Sequence, residues 1–257
     1  PESVLVQAHF SRREVSQSAI SRIPPLVLAL PSWTAVLMKL VLVRHAQSGN
    51  TDVVQTLLSD DGDEEATERR WLEEREADPR LSEQGAAETE MLAQAFSREY
   101  LASVLDLDEV TGGGQRPDRL RLRLLCSPMW RALQTAKPLA GAMGLDLVVD
   151  PDLAEIGGHF GAEQEAPSAD EILDAFGISA MSDPFAVAVD VGRLPEVGAW
   201  DGEAGLEGRE TARRRAARVA AGLYELALED VVDVAVMVTH DAFIKLLLLE
   251  LLVRPLL

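Results

Sequence analysis

Three apolar runs in this sequence each stop at residues that can do chemistry. "KLVLVRHAQSGN" ends its run at Arg44 and His45, "VDVAVMVTH" ends at Thr239 and His240, and "LRLRLLCSP" reaches Ser127 shortly before Arg131. A neutral imidazole can attack phosphorus and carry the phosphoryl group transiently. A guanidinium offers a planar fork of donors that fits the oxygens of a phosphate dianion, and two forks can share its charge. A second imidazole can steady the equatorial oxygens, and a carboxylic acid can protonate the departing oxygen. Two histidines and two arginines brought to one place therefore suit phosphoryl transfer. The arginines hold the charge, so the reading needs neither metal nor cofactor, and no Cys and His spacing has the look of a metal site.

Such residues must be delivered by rigid elements. Residues 39–43 form a continuous apolar run of strand length, the pattern of a strand buried on both faces. "LRLRLLCSP", "LDLVVD" and "VDVAVMVTH" read as three more strands. Between them lie helical stretches. One is capped by Ser82 and runs to about Tyr100, with Met91, Leu92, Ala95 and Phe96 on one face. Another begins beyond Pro128 and bears Arg131, and a third runs from Glu207 to Leu228 with Ala212, Ala216, Val219, Leu223 and Leu226 inward. Alternation of this kind implies a three-layer α/β/α sandwich, a mostly parallel sheet with helices on both faces. Ligands in that architecture bind beyond the carboxyl ends of the strands, where Arg44, His45, Arg131 and His240 fall.

The remaining segments read as accessories. Residues 52–80 are rich in acids and suggest an exposed, mobile insertion or a polar helix. Residues 157–206, rich in Gly, Pro and acids, form a second insertion with a short helix near Asp170 to Phe176. Residues 1–37 are expected to be a poorly ordered or loosely packed extension, with Met38 at the start of the domain that fills 38–257. "ARRRAAR" reads as a solvated helix face pairing with nearby glutamates. "TGGGQRPD" is a loop, His9 has no assigned role, and His159 reads as lining a loop.

Composition narrows the function. The chain has 257 residues and a net charge of −19. That charge argues against a nucleic-acid or anionic-membrane binder but leaves room for a small anionic substrate held by a local arginine cluster. The single cysteine, Cys126, excludes an intrachain disulfide and fits a reducing, cytoplasmic compartment. It reads as a buried structural thiol. The apolar stretches near both ends are too short or too broken by proline to span a membrane. A homodimer is compatible with all of this.

"LVRHAQSGN" resembles the RHG motif of the histidine phosphatase superfamily, which includes cofactor-dependent phosphoglycerate mutases and acid phosphatases. "LSEQGAAETEMLAQ", "SPMWRALQTAKPLA", "LAEIGGHFG", "GRETARRRAARV" and "VTHDAFIKLLL" resemble the later motifs of that family, in its order, over about residues 38–253. An ordered set of this length is a specific signal. The resemblance implies that His45 is the phosphorylated nucleophile and that Arg44, Arg131 and His240 complete the phosphate pocket. It implies a hydrogen bond from Asn50 to the phosphate and a proton from Glu155, with Asp241 behind His240. Ala46 stands where the family has glycine. The acid motif is longer than usual before Phe-Gly, which keeps Glu163 and Glu165 as reserves for Glu155. The strand that the family carries after its second-histidine helix has no counterpart, so a sheet edge is either open or covered by residues 1–37. The implied activity is phosphate monoester hydrolysis. Phosphoglycerate mutase-type transfer is an alternative, disfavoured by "RHAQSGN" where mutases typically show a longer motif. A non-catalytic scaffold that binds a phospho-ligand is another, disfavoured by the intact Arg and His set.

Overall fold

The computed structural model describes residues 5–6, 27–29, 38–59, 64–104, 120–157, 167–176, 187–194 and 207–253. Its frame is the expected layered α/β structure. The sheet contains β1 (Leu5–Val6), β2 (Val27–Ala29), β3 (Lys39–Arg44), β4 (Leu122–Cys126), β5 (Leu147–Val149), β6 (Val189–Asp190) and β7 (Val234–Thr239). The order is β1-β3-β7-β4-β5-β6, with β2 also on β3. Strands β3, β7, β4, β5 and β6 pair in parallel. Both β1 and β2 run antiparallel to β3, opposite Leu42–Val43 and Lys39–Val41 respectively. These two short strands cover the side of β3 that β7 leaves free. The rest of residues 1–37 lies outside the described set, as do His9, His159, Glu163, Glu165 and the GGG loop.

The helices are α1 (Gly49–Ser59), α2 (Glu64–Glu74), α3 (Glu83–Ala95), α4 (Arg98–Val104), α5 (Trp130–Met143), α6 (Ala169–Phe176), α7 (Arg209–Leu228) and α8 (Asp241–Val253). Alternate strand residues feed two cores, as the two-residue period of a strand requires. Val41, Val43, Leu124, Cys126, Val236 and Val238 pack with Phe96, just past α3, and with Leu133, Leu139 and Ile172 from α5 and α6. Leu40, Leu42, Leu125, Ala235 and Met237 pack with Ala216, Leu223, Phe243 and Leu247 from α7 and α8. The central strands are thus buried on both faces, which is why they read as unbroken apolar runs.

The acidic stretch 52–80 takes the helical one of its two readings, forming most of α1 and all of α2. Two local expectations change. The helix capped by Ser82 stops at Ala95 and restarts at Arg98, and Phe96, not Met91, is its main apolar anchor. Met91 is exposed while Phe96 is fully buried. The helix phase is set by Gly85, which presses on the loop after β3 so closely that a Cβ there would lie 1.9 Å from the Gln47 carbonyl oxygen. Finally, Arg215, in the run read as solvated, is buried. Cys126 is buried as expected, and burial pushes its thiol pKa up.

Candidate active site

The carboxyl edge of the sheet gathers the predicted residues by strand register. Arg44 lies opposite Thr239 on the adjacent parallel strands, so the next residue of each, His45 and His240, emerges side by side. The pairing continues into the loops: His45 N–H donates to the Thr239 carbonyl at 2.9 Å, and Ser127 N–H donates to the Val238 carbonyl at 3.0 Å. The two imidazole rings have centroids 5.1 Å apart, at 58°. Arg131 comes from the first turn of α5 and is 7% exposed.

Hydrogen bonds fix the state of His45. Its Nδ1 lies 2.8 Å from the Ala46 carbonyl, an acceptor only, so Nδ1 carries the proton. Nε2 is then a bare lone pair, and Arg131 Nε–H donates to it at 3.3 Å. Burial, then the Arg131 charge, lowers the His45 pKa to about 3, with Arg44 adding to the effect and the Ala46 hydrogen bond opposing it. The imidazole is therefore neutral, the form a nucleophile requires.

His240 is fully buried, and its Nε2 lies 2.8 Å from Ser127 Oγ. Ser127 Oγ accepts from Met129 N–H at 3.3 Å and donates its own proton to Nε2 when the imidazole carries its proton on Nδ1. In that tautomer His240 Nδ1 is a buried donor with no partner among the described groups. Arg44 Nε shares this unpartnered state. Buried donors left unpaired are costly and point to a ligand that completes them. Burial, with the nearby Arg131 and His45, holds His240 well below its ordinary pKa.

Arg131 is held by a residue the sequence reading did not single out. Its Nη1 donates to Asp78 Oδ1 at 2.9 Å, and Asp78 Oδ2 accepts from Trp130 N–H at 2.9 Å. The Asp78 carboxylate so braces both the guanidinium and the start of α5. The loop after β3 is tied to the same helix: Ala46 N–H donates to Thr135 Oγ1 at 3.0 Å, and Thr135 Oγ1–H donates to the Arg131 carbonyl at 2.7 Å. No residue pattern near Asp78 distinguishes it from its many acidic neighbours, and only the packing does.

Glu155 lies on the loop after β5, with its Oε1 accepting from Ile156 N–H at 2.9 Å and from Phe243 N–H at 3.2 Å. Burial raises its pKa against these hydrogen bonds and the opposing charge of Arg131. Glu155 and Arg131 lie near enough for each to act on the other's charge. Asn50 is engaged elsewhere. Its Nδ2 donates to the Glu76 carbonyl and its Oδ1 accepts from Glu76 N–H, both at 2.8 Å. Asp241 opens α8 and pairs with Lys245 at 2.5 Å on the surface. His45, Arg44, Arg131, His240 and Glu155 are brought together, whereas Asn50 is spent on the 75–80 loop.

A histidine phosphatase superfamily (branch 1) model matches residues 40–177, more than half of the chain. The chain belongs to that family. Solved structures similar to it include the ecdysone phosphate phosphatase from Bombix mori, 12% identical, with a TM-score of 0.48 over 81% of this chain and 75% of that one. A mycobacterial glucosyl-3-phosphoglycerate phosphatase is 20% identical, with a TM-score of 0.42 over 83% and 78%. The alpha-ribazole phosphatase from Shigella flexneri is 21% identical, with a TM-score of 0.43 over 83% and 79%. No curated protein matches the sequence. Among the described residues, no helix is long and apolar enough to cross a membrane.

Proposed function

We propose that this protein hydrolyses phosphate monoesters through a phosphohistidine on His45. The observation that carries the reading is the state of that imidazole: Nδ1–H given to the Ala46 carbonyl, and Nε2 bare beside a guanidinium. A phosphate ester drawn to Arg44 and Arg131 presents phosphorus to Nε2. As the Nε2–P bond forms and the ester P–O bond breaks, the electron pair leaves with the ester oxygen, which takes the proton of Glu155. Nδ1–H of His240 and Nε–H of Arg44 donate to the phosphoryl oxygens, where charge concentrates in transfer. Water then attacks phosphorus, Glu155 accepts its proton, and phosphate is released with Nε2 restored. Asn50 joins the phosphate only by exchanging its Glu76 hydrogen bonds. The substrate is a small phosphorylated molecule, and we assign its selection to the insertions at about 52–80 and 157–206.

The test is a phosphate-release screen over sugar phosphates, nucleotides and phosphopeptides, with His45→Ala as the blank. The reading expects release that falls roughly a thousand-fold or more in the variant. Unchanged release in His45→Ala overturns the catalytic claim, and interconversion of phosphoglycerates without net hydrolysis overturns hydrolysis in favour of a mutase.

A further inference from the structure

One buried charge takes no part in the phosphate pocket. Arg215, on α7, lies behind the Glu155 loop and is 8% exposed. Its Nη1 donates to the Asp152 carbonyl at 2.8 Å and to the Ala154 carbonyl at 2.6 Å, and its Nη2 donates to the Glu155 carbonyl at 3.3 Å. Nε and Nη2 also grip the Glu207 carboxylate, at 2.9 and 2.5 Å. The guanidinium lies 4.8 Å from the centre of the Phe243 ring. Phe243 is the residue whose N–H holds the Glu155 carboxyl.

We infer that Arg215 is a positioning residue for the proton donor, fixing both the Glu155 backbone and the α8 residue that orients the Glu155 carboxyl. A guanidinium suits the task because its rigid fork reaches several carbonyls at once, which a lysine ammonium cannot do. Glu207 keeps the buried charge paired, so the clamp is neutral overall. Thr239 Oγ1 donates to the Leu153 carbonyl at 2.6 Å and fixes the same loop from the sheet side. The donor loop is thus fastened to α7 and to the strand that delivers His240. This inference rests on Glu155 being the proton donor.

The leaving group separates positioning from mere folding. Alkyl phosphates need a proton on the departing oxygen, whereas p-nitrophenyl phosphate hardly does. Arg215→Met should lower kcat/KM for an alkyl phosphate roughly a hundred-fold and for p-nitrophenyl phosphate by less than about threefold. Combining it with Glu155→Gln should add almost nothing to the loss on the alkyl ester. Equal losses on both esters in Arg215→Met, alongside a selective loss in Glu155→Gln, overturn the positioning role and leave the donor in place. Equal losses in Glu155→Gln overturn the donor assignment, and with it this inference. Should Arg215→Met not fold, Glu207→Gln is the second variant: a loss confined to the alkyl ester supports the clamp, and an unselective loss overturns it.

Discussion

Arg131 touches His45 and its own anchor at once: Nε–H donates to His45 Nε2 at 3.3 Å while Nη1 donates to Asp78 at 2.9 Å. In the proposed mechanism one guanidinium marks the lone pair that attacks and belongs to the pocket that receives phosphate. Its aim depends on the carboxylate behind it. Desolvation lowers the Arg131 pKa, and Asp78, followed by Glu155, counters that fall.

Asp78→Ala should therefore weaken both fold and binding. The Arg131–Asp78 pair is almost wholly buried, and removing one partner of such a pair costs about 3–5 kcal/mol. Denaturant unfolding should show this loss. Steady-state kinetics should show a raised KM for phosphate esters, while Asp78→Asn should recover part of the stability but little of the KM.

Gly85→Ala should push α3 away from the loop after β3. The added methyl meets backbone at the Gln47 carbonyl, which cannot swing aside as a flexible side chain would. Overpacking of this kind costs about 1–3 kcal/mol. Gly222→Ala, on the exposed side of α7 with open space around it, is the control and should be neutral or stabilising.

Ser127→Ala should remove the hydrogen-bond partner of His240 Nε2. With Nε2 unpaired, the proton can move to it from Nδ1, and the phosphate loses a donor. The expected loss is roughly ten- to a hundred-fold in kcat. Ser127→Thr should retain most activity, and long-range nitrogen NMR should show the changed tautomer in Ser127→Ala.

Stability should fall in mild acid for a reason tied to the site. His45 and His240 both have folded pKa values below the ordinary 6.5. The unfolded chain therefore binds more protons than the folded one below about 6.5. The stability these neutral imidazoles leave intact is complete above that pH and is lost as pH falls toward about 3, the folded value for His45. Each contributes a slope of at most about 1.4 kcal/mol per pH unit. Urea unfolding at pH 7 and pH 5 should show a smaller difference for His240→Asn than for the wild-type chain.

Much of the site was legible because chemistry and burial leave local traces. An apolar run that stops at Arg44 and His45, and another that stops at His240, announce strands and their ends together. Register between β3 and β7 then makes the histidines neighbours, and that pairing follows from the fold class. Asp78 was illegible because its role depends on a partner far along the chain, within a stretch crowded with similar acids. Arg215 was misread for a related reason: "ARRRAAR" shows charge but not helix phase, and the phase turns Arg215 inward while the exposed Arg213 and Arg218 pair with the buried Glu250 and with Asp152. Asn50 sits where the family motif places it, yet the 75–80 loop holds its amide.

The most direct measurement is rapid acquisition of the phosphoenzyme. The protein is mixed with phosphorus-32-labelled substrate, quenched in alkali within milliseconds, digested and mapped. The account predicts a label that survives base, is lost in acid and resides on the peptide bearing His45, with none in His45→Ala. Turnover with no trapped label on that peptide, or a label on any other residue, would contradict it.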